Sequence, residues 1–338
     1  MAITNDLLSS TLYSIRDGEV DELYKKVPFL DDAKKHGGIE YEDGGIKIQR
    51  PLSVAEHSTI SQMATGYEPV SLAVADILKP AIYDWADFVA PIVISKKEEL
   101  ENSGEKAIVK IVEARMRSVM SLLRRELNKQ IIGNSSLSLT NVGTLNGSAA
   151  GTTNRFLEPR APGATQTNIV GGLAKATLNV PGFFNQFAAA TGGFGGAGLG
   201  AMHNIYTAAN VITPMGEINS IIASVPAFAN YKRSLFLNER YIDEKTLDGG
   251  RMALAYAGAM ISADSDMPLN GGGVNVYSMY FINFDGIKMC IHKDGDFAVS
   301  PFEYISGTTA RAATVYFKGQ LIADHLGSCG VLTDGDVF

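Results

Sequence analysis

Cysteine is nearly absent from this chain: Cys290 and Cys329 are the two thiols in 338 residues. So few and so far apart, they do not suggest a disulfide framework, and no Cys/His cluster has the spacing of a metal site. Both read as reduced, partly buried thiols of a protein made and folded in a reducing cytoplasm. No apolar run reaches the ~20 residues that a membrane span needs. The opening MAITNDLLSS lacks the basic start and apolar core of a secretion signal. An excess of positive charge is missing too: 29 Lys and Arg stand against 36 Asp and Glu, a net charge of -7. A protein that grips nucleic acid over its whole surface would be basic, so any such contact falls to a local patch.

What is present suffices for a sizeable core, since 46% of the residues are hydrophobic. Residues 1–38 are polar, with Lys25-Lys26, Asp31-Asp32 and Lys34-Lys35 alternating in sign before Gly37-Gly38. They read as an arm that packs on something else. From Ile39 the period becomes that of a half-buried strand, with Ile39, Tyr41, Ile46 and Ile48 alternating with polar residues. Asp43-Gly44-Gly45 suits a turn. A polar stretch follows, and strand character returns over 77–94, with Pro80 and Pro91 at irregular positions. Residues 39–95 therefore read as a long β-hairpin with a polar tip. Such an excursion has no core of its own and calls for support from a neighbouring chain.

The strongest helix follows. Ser95 with Glu98, and Asn102 with Glu105, match an N-cap and an acid three residues on. Ile108, Val112, Val119, Leu123, Leu127 and Ile131 then recur at helical spacing up to the stop at Gly133-Asn134. From Glu105 to Ile132 this predicts a rod roughly 40 Å long. Residues 134–168 are rich in Gly, Ser, Thr, Asn and Pro and read as a loop or surface insertion. Residues 217–224 have helical spacing closed by Val225-Pro226, and 228–237 a second short helix. The last third is strand-rich, over 253–261, 274–284, 286–292 and 314–322, with turns at Asp285-Gly286, Asp294-Gly295 and Asp334-Gly335. The class is α+β, without an internal repeat.

Signals for chemistry are weak. Gly193, Gly195 and Gly198 fit G-x-G-x-x-G, but a Phe/Ala stretch precedes them and more glycine follows, so a flexible loop is the better reading. His36, His57, His203, His292 and His325 do not lie within metal-ligand spacing of one another. No Gly-x-Ser-x-Gly elbow is present. Asp264 and Asp266 read as caps of a turn before Pro268 rather than a cation site. No catalytic, cofactor-binding or metal-ligating residue is assigned, and no cofactor is expected. The long helix is different: Lys106, Lys110, Arg115, Arg117, Arg124, Arg125 and Lys129 outnumber Glu105, Glu113 and Glu126. This is either a solvated face with i,i+4 pairs or a cationic surface facing nucleic acid.

The order of elements carries a resemblance. Gly45-Ile46-x-Ile48-x-x-Pro51-Leu52 is similar to the entry of an extended loop. Tyr83-x-Trp85, with Glu98, Asn102 and Gly104 further on, is similar to its return into a spine helix. Gly171-Gly172-Leu173 with Phe183-Phe184-Asn185, the run Tyr231 to Tyr241, Tyr256-Ala257-Gly258-Ala259, Asp264-x-Asp266-Met267-Pro268, Phe281-Ile282-Asn283-Phe284 and Gly319-Gln320-Leu321 follow in order. Over nearly the whole chain this resembles the major capsid proteins of tailed bacteriophages with the Hong Kong 97-type fold. Two departures stand out: 134–168 is longer and more polar than expected, and phenylalanine replaces a tryptophan.

The resemblance implies an N-arm over 1–38, an extended loop over 39–95 and a peripheral domain with the spine helix over 96–211. Residues 212–338 would be mainly an axial domain, with strands returning to the peripheral domain. It implies hexamers and pentamers closing into an icosahedral head around double-stranded DNA, assembled in the host cytoplasm. Portal and scaffolding proteins, and in some heads a decoration protein, would be partners. Lys106, Lys110, Arg117, Arg124 and Lys129 would be the lumen-facing basic residues. The short stretch before the loop leads us to expect a separate scaffolding protein, or none, and no N-terminal maturation cleavage. The rivals are a nanocompartment (encapsulin-like) shell protein of the same fold and a soluble α+β enzyme using the glycine-rich segment.

Overall fold

The structure, a computed structural model, describes residues 27–53, 66–67, 77–101, 105–133, 143–147, 151–178, 180–212, 216–237, 245–246, 252–267 and 277–335, with single positions between 10 and 20. Two sheets and one long helix organise it. The first sheet has six strands. At its centre lies Ala310–Ala323, whose alternate residues Arg311, Ala313, Val315 and Phe317 point inward, the period of a strand with one buried face. Ala86–Ser95 runs antiparallel to it, from Ala86 opposite Gly319 to Ser95 opposite Ala310. Ile287–His292, Ala298–Val299 and Glu303–Tyr304 also pair with it, and Ile39–Glu42 adds to Ile287–His292 in parallel.

The second sheet has seven strands, in the order Lys245–Thr246, Met252–Tyr256, Ala259–Asp264, Ser220–Ser224, Tyr277–Ile282, Gly330–Thr333 and Gln186–Ala189. Ser220–Ser224 is its central strand and is buried throughout. Helical spacing in 217–224 is misleading here. An apolar run covered on both faces has no period to read, and its β-branched Ile221 and Ile222 suit a strand. Val225-Pro226 starts the helix Val225–Leu237 rather than ending one, because proline is tolerated in a first turn.

The two faces of this sheet serve different cores. Ile221, Leu254, Ile261, Met279 and Phe281 pack with Phe194, Tyr231 and the helix Leu199–Ile212. Ile222, Tyr280, Ile282 and Val331 join the main core, shared with the first sheet and the long helix. The glycine-rich segment is not a free loop: Phe194–Gly198 forms a π-turn with Phe194 buried, leading directly into Leu199–Ile212. Sequence reading missed that helix because it is apolar and small-residue-rich on most sides.

The long helix is Glu105–Ile132, as its spacing predicts. Val112, Met116, Met120, Leu123, Leu127 and Ile131 are its buried stripe. Ahead of it, the Ser95 hydroxyl accepts from the Glu98 backbone at 3.3 Å while the Glu98 carboxylate accepts from the Ser95 backbone at 3.2 Å, a closed capping box. The second expected cap, Asn102, lies outside the described residues. The N-terminal segment packs on its own subunit: Pro28–Lys35 is a helix with Phe29, Leu30 and Ala33 in the main core, and Arg16 donates to the backbone of Asp296 and Phe297, both at 2.8 Å.

Candidate functional site

The hairpin is narrower than the sequence suggests. Its ends, Ile39–Glu42 and Ala86–Ser95, belong to the first sheet, leaving Lys47–Ser53 antiparallel to Leu78–Asp84 as the two-stranded part. Nor does its base lack a core: Ile48, Leu52, Ala81 and Tyr83 are in the main one. The Tyr83 hydroxyl donates to Ala323 O at 3.0 Å, and the Ile82 backbone donates to Gly171 O at 2.8 Å. Arg50 pairs with Glu40, with Glu42 at 3.6 Å and with Asp324 at 4.0 Å, while Lys288 bonds Glu40 at 2.7 Å. Beyond this anchored base, residues 54–65 and 68–76 lie outside the described residues.

Large apolar side chains are exposed along this region. Ile46 is 93% exposed and Tyr67 96%. Leu78 on the hairpin, and Val89 and Val93 on the neighbouring strand, also face outward. A single exposed apolar side chain needs no explanation, whereas several in one region of the chain make it a candidate contact surface.

On the long helix, Lys106, Lys110, Arg117 and Arg124 are four, seven and seven residues apart and so share one stripe, while Lys129 lies ~140° round from Arg124. The side chains of Lys106 and Lys110 lie outside the described ones. Arg117 is paired with Glu113 at 2.6 Å and Glu19 at 3.2 Å, and Lys129 with Glu126 at 3.9 Å. Arg115 binds Glu98 at 2.5 Å and the Val93 carbonyl. The Ser95 backbone N–H and, after it, Arg115 hold the Glu98 carboxyl below its ordinary range. Among the described residues, Arg124 and Arg125 have no carboxylate within ion-pair distance, and Arg124 donates to the Ser121 hydroxyl at 3.3 Å. With Ser121 and Asn128 they line one side of a cleft of about 640 Å³, closed by Val27, Pro28 and residues 263–266. Asn128 donates to Asp264 at 3.0 Å and to Asp266 at 3.0 Å, and the Asp266 backbone donates to Asp264 Oδ1 at 2.8 Å, so the expected turn cap is present.

Of the expected loop or surface insertion over 134–168, residues 134–142 and 148–150 lie outside the described residues, and 143–147 with 151–168 are only partly surface, 161–165 being a mostly exposed loop. The described residues of 143–178 hold short strand pairs, Thr144–Asn146 with Arg155–Leu157 and Ile169–Val170 with Leu173–Ala174, around a buried polar centre. Lys175 and Glu158 are both 0% exposed and stand 3.5 Å apart. Lys175 Nζ also donates to Phe156 O at 2.6 Å and Asn185 Oδ1 at 3.1 Å. Glu158 accepts from the backbones of Thr167 and Asn168, both at 2.9 Å, and from Arg160 at 3.0 Å. Burial pushes the Lys175 amine down to about 8, an effect the Glu158 charge opposes. Polar composition alone gave no sign of burial here.

No constellation for catalysis assembles among the described residues. His36 stacks on Phe284, His292 meets the Trp85 ring edge-on, and His203 lies beside Thr207. His57 lies outside the described residues. Among the described residues no group of three His, Cys, Asp or Glu could hold a metal, and no helix is long and apolar enough to cross a membrane. Both thiols are buried and free, and burial raises Cys290 to about 12 and Cys329 to about 11.

Two sheets sharing a core with one long helix, a hairpin projecting from the first sheet and a second sheet backed by two helices together make the Hong Kong 97-type capsid fold. Solved structures that the chain resembles are capsids and an encapsulin complex. It is similar to the capsid of cyanophage A-1(L), with a TM-score of 0.63, 16% identity, and 92% of this chain and 93% of that one covered. The capsid of an empty GTA particle gives 0.55 at 12% identity, covering 90% and 89%. The holo-SrpI encapsulin complex from Synechococcus elongatus PCC 7942 gives 0.52 at 12% identity, covering 88% and 85%. No family model matches the chain, and no curated protein does.

Proposed function

We propose that this chain is the major capsid protein of a tailed bacteriophage, assembling as hexamers and pentamers into an icosahedral head around double-stranded DNA. The observation that carries the reading is the likeness to the cyanophage capsid over 92% of this chain and 93% of that one, so nearly the whole chain has a counterpart in a shell subunit. The exposed apolar side chains of the hairpin region supply surface for neighbouring copies. Shell building suits such many-sited, individually modest contacts, since avidity stabilises the closed assembly while single errors still dissociate. In this reading residues 1–38 are the N-arm, 39–95 the extended loop, 96–211 the peripheral domain and 212–338 mainly the axial domain. Portal and scaffolding proteins, and in some heads a decoration protein, are its partners.

A nanocompartment shell is the second reading, favoured by the likeness to the encapsulin complex. Electron microscopy of the expressed protein tests shell formation, and closed particles are expected. Nuclease-protected DNA in particles from the natural source supports the capsid reading. Particles filled with protein and free of DNA would favour the nanocompartment.

A further inference from the structure

The chain crosses directly between the two sheets twice, and both crossings meet at His325. One runs from Tyr277–Ile282 through residues 283–286 to Ile287–His292. The other runs from Ala310–Ala323 through 324–329 to Gly330–Thr333. The turn Pro181–Phe183, on the approach to the strand Gln186–Ala189, meets them there. Backbone bonds knit the three segments. Asp324 and His325 donate to Gly286 O at 2.8 and 3.1 Å, and Leu326 and Gly327 both donate to Gly182 O at 3.0 Å.

The fit is tight. A Cβ at Gly182 would stand 2.6 Å from His325 Nε2, and one at Gly286 would stand 2.2 Å from His325 O. The imidazole is half-buried against this joint, and its buried Nδ1 has no hydrogen-bond partner. A charged ring carries a proton on both nitrogens, and Nδ1–H would then have no acceptor where it sits.

We propose that His325 makes the joint between the two sheets pH-sensitive: charging its ring loosens the three crossing segments where they meet. The charged groups around it do not offset that charge. Asp324, next in the chain, is held by Lys288 at 3.8 Å and Arg50 at 4.0 Å. Asp285 accompanies Gly286 in the facing turn, the Cys329 thiol is raised and stays neutral, and Pro181–Phe183 carries no ionisable side chain. Burial lowers the pKa of His325 below its ordinary 6.5, with no opposing charge interaction. The unfolded or opened chain therefore binds the proton more readily. The joint keeps its full stability above about pH 6.5 and loses it as the pH falls through the lowered value.

Hydrogen exchange of the full chain, corrected for intrinsic rates, tests this at pH 7.5 and 5.5. Peptides covering 181–186, 283–288 and 324–329 should lose protection on acidification, by at most about tenfold, since pH 5.5 lies one unit below the ordinary histidine value. Peptides from 312–320 should not. His325→Gln, which cannot charge, should abolish the difference. Equal loss in both proteins, or none in the parent, overturns the proposal. If the glutamine variant fails to fold, titration of histidine-labelled parent protein decides: a His325 midpoint at or above 6.5 overturns it, and a depressed one supports it.

Discussion

At the scale of single residues, two adjacent glycines make a controlled comparison. Gly171 and Gly172 both have positive φ, 57° and 77°, where a side chain is strained. Gly171 is also crowded: its Cβ would stand 2.6 Å from the Ala81 Cβ and 3.0 Å from Tyr83 on the hairpin, whereas Gly172 has open space. Gly172→Ala should therefore cost about 1 kcal/mol, the conformational term alone, and Gly171→Ala clearly more. Thermal unfolding of both variants measures this, and equal losses would mean that the hairpin base does not press on this turn. Lys175→Met is expected to cost about 3–5 kcal/mol, because removing one member strands the other buried charge. Arg160 still pairs with Glu158 at 3.0 Å and places the loss at the lower end. The glycine pair was visible in the sequence as a motif. Lys175 was not, since nothing in its local sequence distinguishes a solvated lysine from one sealed by Phe156 and Asn185.

At the scale of elements, legibility follows periodicity. The helix Glu105–Ile132 was readable because one stripe is buried and the opposite side is wet, so the 3.6-residue repeat survives in the sequence. Ser220–Ser224 was misread because it is covered on both faces, and Leu199–Ile212 was missed for the related reason that apolar residues occur on most of its sides. The hairpin was legible as alternation, but its width was not. Pairing of Ile39–Glu42 with Ile287–His292 joins residues some 250 apart in sequence, which no local pattern encodes. The long helix gives the sharpest test at this scale. Val119 sits mid-helix and packs against the main core. Val119→Pro removes a backbone donor and clashes with the preceding turn, at a cost of about 3 kcal/mol or more. Loss of soluble subunit is expected, since both sheets rest on this helix. Recovery of normal particles would show that the helix is not their common support.

For the whole molecule, the question is what the basic helix face does in the assembled state. With a net charge of -7, the subunit repels nucleic acid on average, so a contact needs cations free of internal partners. The structure divides the five of the seven whose side chains are described. Arg115, Arg117 and Lys129 are engaged by Glu98, Glu113 with Glu19, and Glu126, while Arg124 and Arg125 have no such carboxylate among the described residues. Arg125 is exposed and Arg124 half-exposed. The candidate contact with packaged DNA thus shifts from the paired Arg117 and Lys129 toward Arg124 and Arg125, a pair that sequence could name but not sort. Replacing both by glutamine removes two charges and leaves the helix-forming tendency nearly unchanged. If they face phosphates, shells should still form, and the salt dependence of DNA binding by empty shells should flatten by ~0.9 in log–log slope for each phosphate no longer neutralised. If instead they bridge to a neighbouring subunit, assembly itself should weaken and the slope should stay. A double variant with unchanged assembly and unchanged salt slope would leave this face as solvated surface and remove it from the proposed DNA contact.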